Sequence, residues 1–261
     1  MTIGIIGGSG LYGMQGLSAL EGISLSTPFG EPSAPYMKGK FDGHEVIFLA
    51  RHGVPHRIAP HKVNYRANIW GFKELGVQRI ISVSAVGGIS PEAAPGSLVL
   101  PDQIIDMTQG ARPSTFYEAD RVIHVDFTSP YCPEMRERLL QASRTSGIPL
   151  KNTGTYLCVN GPRLETAAEI RYFSRIGADV VGMTAMPEAV LARELEICFA
   201  GISVVTNAAA GISENKLTTT EVVETMQRSA GLLEKLLLAA IPAMPAHRAC
   251  TCKDALKDAA L

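Results

Sequence analysis

Residues 3–13 read IGIIGGSGLYG, a short apolar run that breaks into glycines around a single serine. An apolar run of this length followed by a glycine-rich turn is typical of a buried strand that ends at a ligand-binding loop. From Gly8 onward the stretch also spells G-x-G-x-x-G, the fingerprint of dinucleotide binding. The amides of such a turn suit either the pyrophosphate of a dinucleotide or a smaller anion, and the rest of the sequence must decide between them.

The residues after Gly13 weaken the dinucleotide interpretation. The fingerprint requires an unbroken helix behind its third glycine and, ~20 positions further on, an acidic residue at the end of a second strand. Gly16 and Gly22 interrupt the expected helix, and Glu31, which has a suitable spacing, lies in the loop sequence Phe-Gly-Glu-Pro. An NAD-binding oxidoreductase therefore stays only as the alternative from a different functional class.

Apolar, β-branched runs like the one at 3–6 recur along the 261-residue chain and alternate with helical patterns. This alternation predicts an α/β fold in a single domain, with a twisted, mixed, largely parallel sheet flanked by helices. The predicted strands are 3–6, 45–50, 79–85, 97–105, 154–159, 179–183 and 200–206, and the predicted helices are 62–75, 133–146, 165–176, 186–196 and 219–240. We expect a catalytic domain over residues 1–242 and a C-terminal tail over residues 243–261.

The composition argues against two classes of partner. With 24 basic and 25 acidic residues the chain has a formal charge of -1, which offers no electrostatic footprint for nucleic acid or an anionic membrane. The longest apolar stretch near the C-terminus, 236–244, is interrupted by Pro242 and is much shorter than the ~20 residues that span a bilayer. The N-terminus does not resemble a signal peptide, so we expect a cytoplasmic protein.

The five cysteines are too few and too scattered for the disulfide framework of a small secreted protein. Cys250-Thr-Cys252 stands out, because two thiols this close together either form a strained disulfide or ligate a metal. No other cysteine lies near them in the sequence. We therefore predict no metal site and leave the state of these two thiols open.

Small and polar residues follow the predicted strands at the point where each strand ends. In an open α/β sheet the ligand binds outside the carboxyl ends of the strands, so these residues are the candidate site. They are Gly7, Gly8, Ser9 and Gly10 after the first strand, Arg51, His52 and Gly53 after the second, Ser84, Ala85, Gly87 and Gly88 after the third, and Thr184, Thr206 and Asn207 after later strands. Free backbone amides, small hydroxyls and an arginine fork that bonds two oxygens are what free phosphate requires.

Several motifs together resemble one family over almost the whole chain. They are GGSGLY at 7–12, ARHG at 50–53, VNYRANIW at 63–70, SAVGG at 84–88, RPSTFY at 112–117, NGPRLET at 160–166, GMTAMPE at 182–188 and TNAAAG at 206–211. In this order and spacing they resemble the methylthioadenosine phosphorylase branch of the trimeric purine nucleoside phosphorylases. The resemblance implies an enzyme of purine salvage that cleaves the N-glycosidic bond of a nucleoside with inorganic phosphate and uses no metal or organic cofactor.

The resemblance also implies roles for individual residues. Phosphate would be bound by Ser9, Arg51, His52, Ser84, the Ala85 amide and Thr184, all members of the strand-end set, and His52 would also take part in catalysis. Met183 would lie under the ribose. The family forms trimers or pairs of trimers with active sites at subunit borders, and His124 matches the histidine that reaches across toward the 5' group of the nucleoside.

Glu165 and Asn207 decide which purine is expected. A 6-oxopurine offers an N1–H donor, whereas adenine offers an N1 acceptor, so a carboxylate that faces N1 favours the 6-oxopurine. Glu165 matches the glutamate of inosine-cleaving relatives, where adenine-specific relatives carry serine, and Asn207 and Ala209 stand where those relatives carry aspartates. We expect Glu165 and Asn207 to be catalytic, with the Asn207 amide stabilising charge on the departing purine and Leu164, Ala208 and Ala209 beside the base.

The 5' end of the sugar distinguishes between nucleosides. Inosine phosphorylases of the family use a histidine that bonds the 5'-hydroxyl, and the matching position in this chain is about Thr219. Loss of that histidine leaves room for an apolar methylthio group. We therefore expect S-methyl-5'-thioinosine as substrate, with inosine and guanosine still open and an S-methyl-5'-thioadenosine phosphorylase as the alternative within the family.

Overall fold

The computed structural model describes residues 2–8, 17–108, 110–119, 121–213 and 218–260. The opening stretch begins as predicted, with a fully buried strand β1 over Ile3–Gly7. The other strands are β2 Leu17–Ile23, β3 Tyr36–Phe41, β4 His44–Ala50, β5 Arg79–Gly88, β6 Leu98–Val99, β7 Gln103–Asp106, β8 Thr155–Cys158, β9 Val180–Gly182 and β10 Cys198–Ala208. The helices are α1 Tyr65–Glu74, α2 Pro133–Ser146, α3 Ala167–Arg175, α4 Ala185–Glu194 and α5 Thr219–Ala243. Ser9 and the rest of the glycine-rich turn from residue 9 to 16 lie outside the described residues.

The strands form one mixed sheet in the order β2-β3-β4-β1-β5-β9-β8-β7, and β10 pairs with both β5 and β6. Five of the described pairings are parallel: β1 with β4, β1 with β5, β5 with β10, β7 with β8 and β8 with β9. The pairs β2–β3, β3–β4, β5–β9 and β6–β10 are antiparallel. The expected α/β fold with a mixed, largely parallel sheet is confirmed.

Helices cover both faces of this sheet. On one face α2 and α5 bury residues such as Leu139 and Leu237 against β1 and β10. On the other face α1 and α4 bury residues such as Phe72 and Leu191. Between these layers β10 is buried along ten of its eleven residues, as expected for a strand covered on both sides. No helix in the described part of the chain is long and apolar enough to cross a membrane.

Local sequence signals set the ends of two helices. Pro133 begins α2, where its missing N–H costs nothing, and Gly147 ends the helix in the left-handed conformation at φ 67°. Thr166 and Glu169 form a reciprocal capping box at the start of α3. These signals bring the predicted helices 133–146 and 165–176 to within two residues of the observed α2 and α3.

Two strands, β2 and β3, and one break within a predicted strand were not predicted. Five of the seven residues of β2 are exposed, and its register with β3 shifts between Ser18 and Glu21, so its sequence lacks a regular apolar alternation. The predicted strand 97–105 is instead two short strands, β6 and β7, on different parts of the sheet. The chain passes from one to the other through Leu100, Pro101 and Asp102, and proline cannot donate a ladder hydrogen bond at that point.

The register of the sheet brings the predicted strand ends to one level. Gly7 at the end of β1 pairs with Ala50 at the end of β4, and the amide of Arg51 donates to the Gly7 carbonyl at 3.0 Å. Ile6 pairs with Ser82, so β5 passes the same level one residue later and continues toward Gly88. On its other side Gly87 is paired with Asn207 of β10.

Candidate active site

The sheet opens to solvent where β5 runs past the ends of β1 and β4. Most of β5 is buried, yet Ser84 is half-buried and Ala85 is exposed. An exposed alanine in a central strand marks a place that the described residues leave uncovered. The hydroxyl of Ser84 and the amide of Ala85 therefore lie at an opening, as the phosphate assignment requires.

Arg51 follows β4 and is only 2% exposed. Its Nε and Nη2 donate to the Glu188 carboxylate at 2.5 and 3.2 Å, Nη2 also donates to Ser82 Oγ at 2.7 Å, and Nη1 donates to the Val83 carbonyl at 3.0 Å. Burial lowers the pKa of Arg51, but the Glu188 carboxylate outweighs burial and the pKa lies above its ordinary value. Since four of the five N–H groups have partners among the described residues, one Nη1 N–H is left for an anion, in place of the expected two-oxygen fork.

Glu188 is a site residue that the sequence analysis did not single out. It is completely buried in α4 and also accepts a hydrogen bond from Ser82 Oγ at 2.7 Å. A buried carboxylate is costly unless it is paired, and Arg51 supplies the pairing charge. The signal was present in the helix sequence AMPEAVLARE, where Glu188, the last residue of the GMTAMPE motif, lies among apolar residues.

His52 lies beside Arg51 and is half-buried. Its Nδ1 is 2.8 Å from the Ile58 carbonyl, and its ring stacks on His56 with centroids 4.4 Å apart. Burial and the Arg51 charge lower the pKa of His52 to about 4. The neutral ring must carry its proton on Nδ1 to bond the carbonyl, so Nε2 is left as an acceptor for a protonated oxygen of phosphate.

The lowered pKa of His52 predicts a specific pH dependence of stability. Between about pH 6.5 and about pH 4 the unfolded chain binds a proton at this histidine that the folded chain does not, so the free energy of unfolding falls as the pH falls through this window. Urea unfolding of wild type and His52→Gln in phosphate-free buffer measures the effect, and the variant should show the flatter profile. His44→Gln is the matched control at an exposed histidine, and a profile unchanged by His52→Gln would contradict the assignment.

Thr184 and Met183 lie at the end of β9, close to the NGPRLET motif. Thr184 occupies the N-cap position of α4, but its hydroxyl does not cap that helix. Instead its amide donates to the Tyr156 hydroxyl at 3.3 Å. Met183 Sδ packs directly on Gly161, which has a φ of 61°. A Cβ at Gly161 would clash with this sulfur. The glycine of NGPRLET is therefore required for this contact.

Arg112, the first residue of RPSTFY, is a second residue without a predicted role. It is 8% exposed, and Nη1 donates to the carbonyls of Met183 and Met186, each at 2.7 Å. Its Nη2 donates to the Asn160 carbonyl at 2.9 Å. One buried guanidinium thus joins the turn that carries Met183 and Thr184 to the loop that carries Gly161 and Glu165.

Asn207 is buried near the end of β10, and two neighbours fix its side chain. Thr206 Oγ1 donates to Asn207 Oδ1 at 2.8 Å, and Asn207 Nδ2 donates to the Ala208 carbonyl at 2.9 Å. One N–H of the amide remains for another acceptor. Two residues after Asn207, Ala209 packs against Gly87, and its amide donates to the Gly88 carbonyl at 2.8 Å.

Glu165 precedes α3 and is half-buried. Burial raises its pKa and the Glu169 carboxylate adds to the rise, while its own backbone amide and Arg163 oppose it. Gly211, four residues after Asn207, packs on Ala167 so closely that a Cβ would clash. The loops that carry Asn207 and Glu165 are therefore held against each other, as two residues on one purine require.

His124, Thr219 and Leu164 are the predicted residues that stand apart from this group. All three are exposed. Thr219 begins α5, and the His124 amide donates to the Ala259 carbonyl at 2.8 Å. The structure thus brings together the described strand-end residues and the base loops, and leaves Leu164 and the residues assigned to the 5' group on the surface of the single chain.

Comparisons with known proteins place this site in a family. A family profile described as the Phosphorylase superfamily matches residues 2–242. The chain belongs to the phosphorylase superfamily. It is 55% identical over 259 residues to a protein named probable S-methyl-5'-thioinosine phosphorylase from Thermodesulfovibrio yellowstonii, covering 99% of this chain and 97% of the relative.

Two further relatives match this phosphorylase over nearly its whole length. A 6-oxopurine nucleoside phosphorylase from Pyrococcus furiosus is 54% identical over 264 residues, covering 98% of each chain. The crystal structure of a methylthioadenosine phosphorylase from an Antarctic soil metagenomic library superposes with a TM-score of 0.92 at 38% identity, covering 99% of this chain and 92% of that one. The phosphorylase fold and the resemblance found in the motifs are thereby confirmed.

Proposed function

We propose that this phosphorylase cleaves 6-oxopurine nucleosides with inorganic phosphate, and that its main substrate is S-methyl-5'-thioinosine. The products are hypoxanthine and 5-methylthioribose 1-phosphate. The observation that carries the choice of base is the side chain of Asn207, whose Nδ2 keeps one N–H as a donor after bonding the Ala208 carbonyl, while Oδ1 accepts from Thr206. The similarity to proteins named as thioinosine and 6-oxopurine nucleoside phosphorylases supports the same choice.

Phosphate would bind at the open edge of β5 as the co-substrate, with no other cofactor. Its partners there are the Ser84 hydroxyl, the Ala85 amide, the remaining Nη1 N–H of Arg51 and Nε2 of His52, with Ser9 and Thr184 completing the set that the family resemblance implies. These groups fix the attacking oxygen below the sugar. Positioning of this kind converts an encounter of two molecules into a reaction within one complex.

The purine would lie between the two base loops. Asn207 donates to the base and stabilises the negative charge that builds on it as the glycosidic bond breaks. Glu165 accepts the N1–H of a 6-oxopurine. Burial raises the pKa of this carboxylate, and such a carboxylate is well suited to a hydrogen bond from a neutral donor, which needs no cation as partner. Met183 lies under the ribose, and the sugar passes through an oxocarbenium-like state without a covalent bond to the enzyme.

The 5' side would be completed by a second subunit. In the single chain His124 and the neighbouring Val122 are exposed, Val122 by 54%, and Thr219 is exposed at the start of α5. A homotrimer, or a pair of trimers, would place His124 of one subunit over the 5' group of the next. This arrangement explains why His124 contacts no residue of its own site within the described chain. We place this enzyme in the cytoplasm, where it would return purine bases to salvage.

One assay set tests the proposal directly. Release of base is measured from S-methyl-5'-thioinosine, S-methyl-5'-thioadenosine, inosine and adenosine, each with and without phosphate. The proposal expects the highest kcat/KM for methylthioinosine and no turnover without phosphate. Preference for methylthioadenosine would favour the activity named for the Antarctic structural relative, and turnover without phosphate would indicate a hydrolase.

Glu165→Gln tests the carboxylate at the base edge. A glutamine amide can present either a donor or an acceptor, so the expected result is a 10- to 100-fold loss of kcat/KM for methylthioinosine, which corresponds to about 1.4–2.7 kcal/mol. The loss for methylthioadenosine should be smaller, because its N1 accepts a hydrogen bond. Glu92→Gln, at an exposed position, is the matched control, and equal losses for both substrates would contradict the role.

A further inference from the structure

Four cysteines that are scattered in the sequence meet at one point of the fold. The Sγ atoms of Cys132, Cys198, Cys250 and Cys252 all lie within 4.8 Å of one another. All four side chains are buried, with exposed fractions of 1, 0, 8 and 2%. The sequence analysis saw only the Cys250-Thr-Cys252 pair, because the other two ligands come from segments more than 50 residues away in the chain.

The four thiols are free and are spaced as in a tetrahedral site. The Sγ atoms of Cys198 and Cys250 are 3.3 Å apart, whereas a disulfide is ~2.05 Å long. A metal with four sulfur ligands at ~2.3 Å places the sulfurs about 3.8 Å apart, inside the 4.8 Å that encloses this cluster. A closed set of four sulfur ligands is the composition of structural zinc sites.

The backbone around the cluster is tied together by its own hydrogen bonds. The Cys132 amide donates to the Phe199 carbonyl at 2.8 Å, which places the start of α2 against the start of β10. The buried Arg79, paired with Cys198 in the sheet, donates to the His247 carbonyl at 3.2 Å. The Ala249 amide in turn donates to Glu134 at 3.2 Å. The three segments that carry the cysteines are thus held in place by contacts that do not involve sulfur.

Neighbouring groups also favour negative charge on the sulfurs. Cys132 immediately precedes the 14-residue helix α2. The N-terminal amide groups of a helix carry partial positive charge, which favours negative charge on a nearby sulfur. Four thiolates around a divalent cation carry a net charge of -2, which these groups offset.

We propose that Cys132, Cys198, Cys250 and Cys252 bind one Zn²⁺ ion in a structural site. Binding replaces four S–H bonds with four Zn–S bonds and releases the thiol protons to solvent, without oxidation or reduction. The site lies far from the chemistry, since nine residue steps along strand β10, roughly 30 Å, lead from Cys198 to Asn207. Its role is therefore to fix the C-terminal tail.

The tail connects this site to the loop of His124. Beyond the 3₁₀ helix Thr251–Asp254, the tail returns to residues 123–124, where Ile123 and Ala260 form an antiparallel bridge. The Ala259 carbonyl accepts the His124 amide at 2.8 Å. If His124 acts at the 5' group, as the proposed function has it, loss of the metal should raise KM for the nucleoside. That consequence rests on the proposed function, whereas metal binding itself does not.

Metal content of the full-length protein tests the proposal. Protein produced with zinc in the medium and purified under reducing conditions is measured by elemental mass spectrometry, and one zinc per chain is expected. Cys252→Ser should lose the zinc. Cys158→Ser, at a buried cysteine outside the cluster, is the matched control and should retain it.

Cobalt substitution of the wild-type protein gives a measurement that does not depend on a variant folding. Co²⁺ added to the zinc-free, reduced protein should produce the intense visible and sulfur-to-metal bands of a tetrahedral tetrathiolate, and added Zn²⁺ should abolish them. The thermal midpoint should rise on adding Zn²⁺. Wild-type protein that binds neither metal, that contains iron, or whose intact mass shows the loss of two hydrogens for each of one or two disulfides would overturn the zinc site.

Discussion

Replacing Asn207 with aspartate is expected to lower kcat/KM for S-methyl-5'-thioinosine by about 100- to 1,000-fold, the range found when a donor to a developing negative charge is removed. The departing purine carries the negative charge, and aspartate offers it a carboxylate in place of an N–H. The change adds one charge and removes one donor while the shape of the side chain stays the same. The loss should therefore fall on the chemical step and appear in kcat.

The surroundings of Asn207 show why aspartate cannot mimic it. Thr206 Oγ1 would still donate to one carboxylate oxygen, as it does to Oδ1. The other oxygen would face the Ala208 carbonyl, which accepts a hydrogen bond from Nδ2 at 2.9 Å in the present structure. Two acceptors at this distance repel each other, so the carboxylate must rotate away or bind a proton.

Steady-state kinetics at saturating phosphate measure this effect. The same variant should lose less activity on S-methyl-5'-thioadenosine, so the preference for the 6-oxopurine should fall. Asn152→Asp adds the same charge at an exposed position and should leave kcat/KM unchanged. Equal kcat for wild type and Asn207→Asp on methylthioinosine would show that Asn207 does not act on the leaving group.

The strand-end residues could be predicted because they depend on a short-range pattern. An apolar run gives a strand, and the first polar residue after it lies at the carboxyl edge of a parallel sheet, whichever strands are neighbours. Arg51, Ser84 and Asn207 were found in this way, and the register of β1, β4, β5 and β10 places them along the same edge of the sheet.

The groups that the sequence did not reveal depend on pairs that are distant in the chain. Arg51 meets Glu188 across 137 positions, and Arg112 meets Met186 across 74. Nothing local indicates that such a charge is buried, because the same residue type is usually solvated. The cysteine cluster was missed for the same reason. β2 was missed because a mostly exposed strand with a register shift has no clear periodicity.

The second large effect is expected at the buried pair of Arg51 and Glu188. Glu188→Gln keeps the size of the side chain but leaves the Arg51 charge, 2% exposed, without its counter-charge. Breaking a buried ion pair at one partner costs about 3–5 kcal/mol, so the free energy of unfolding should fall by that amount in phosphate-free buffer. Urea titration at a fixed protein concentration measures it.

A matched variant separates loss of charge from loss of a buried hydrogen bond. Glu194 is also buried, at 3% exposure, but it accepts a hydrogen bond from the Phe116 amide and forms no ion pair among the described residues. A glutamine can still accept from that amide, so Glu194→Gln should cost about 1 kcal/mol or less. If the two variants lose the same stability, the charge of Glu188 is not what stabilises Arg51.

Phosphate should reveal what the pair does for the reaction. In wild type, Glu188 neutralises most of the Arg51 charge, so a phosphate at the strand edge gains little from that arginine. In Glu188→Gln the uncompensated guanidinium is free to attract the anion, and added phosphate should raise the thermal midpoint more than it does in wild type. In the double variant Arg51→Met/Glu188→Leu both charges are gone, so stability should return toward that of wild type and the phosphate response should fall back to the wild-type response or below it. A phosphate response in the double variant as large as that of Glu188→Gln would place the anion site elsewhere than beside Arg51.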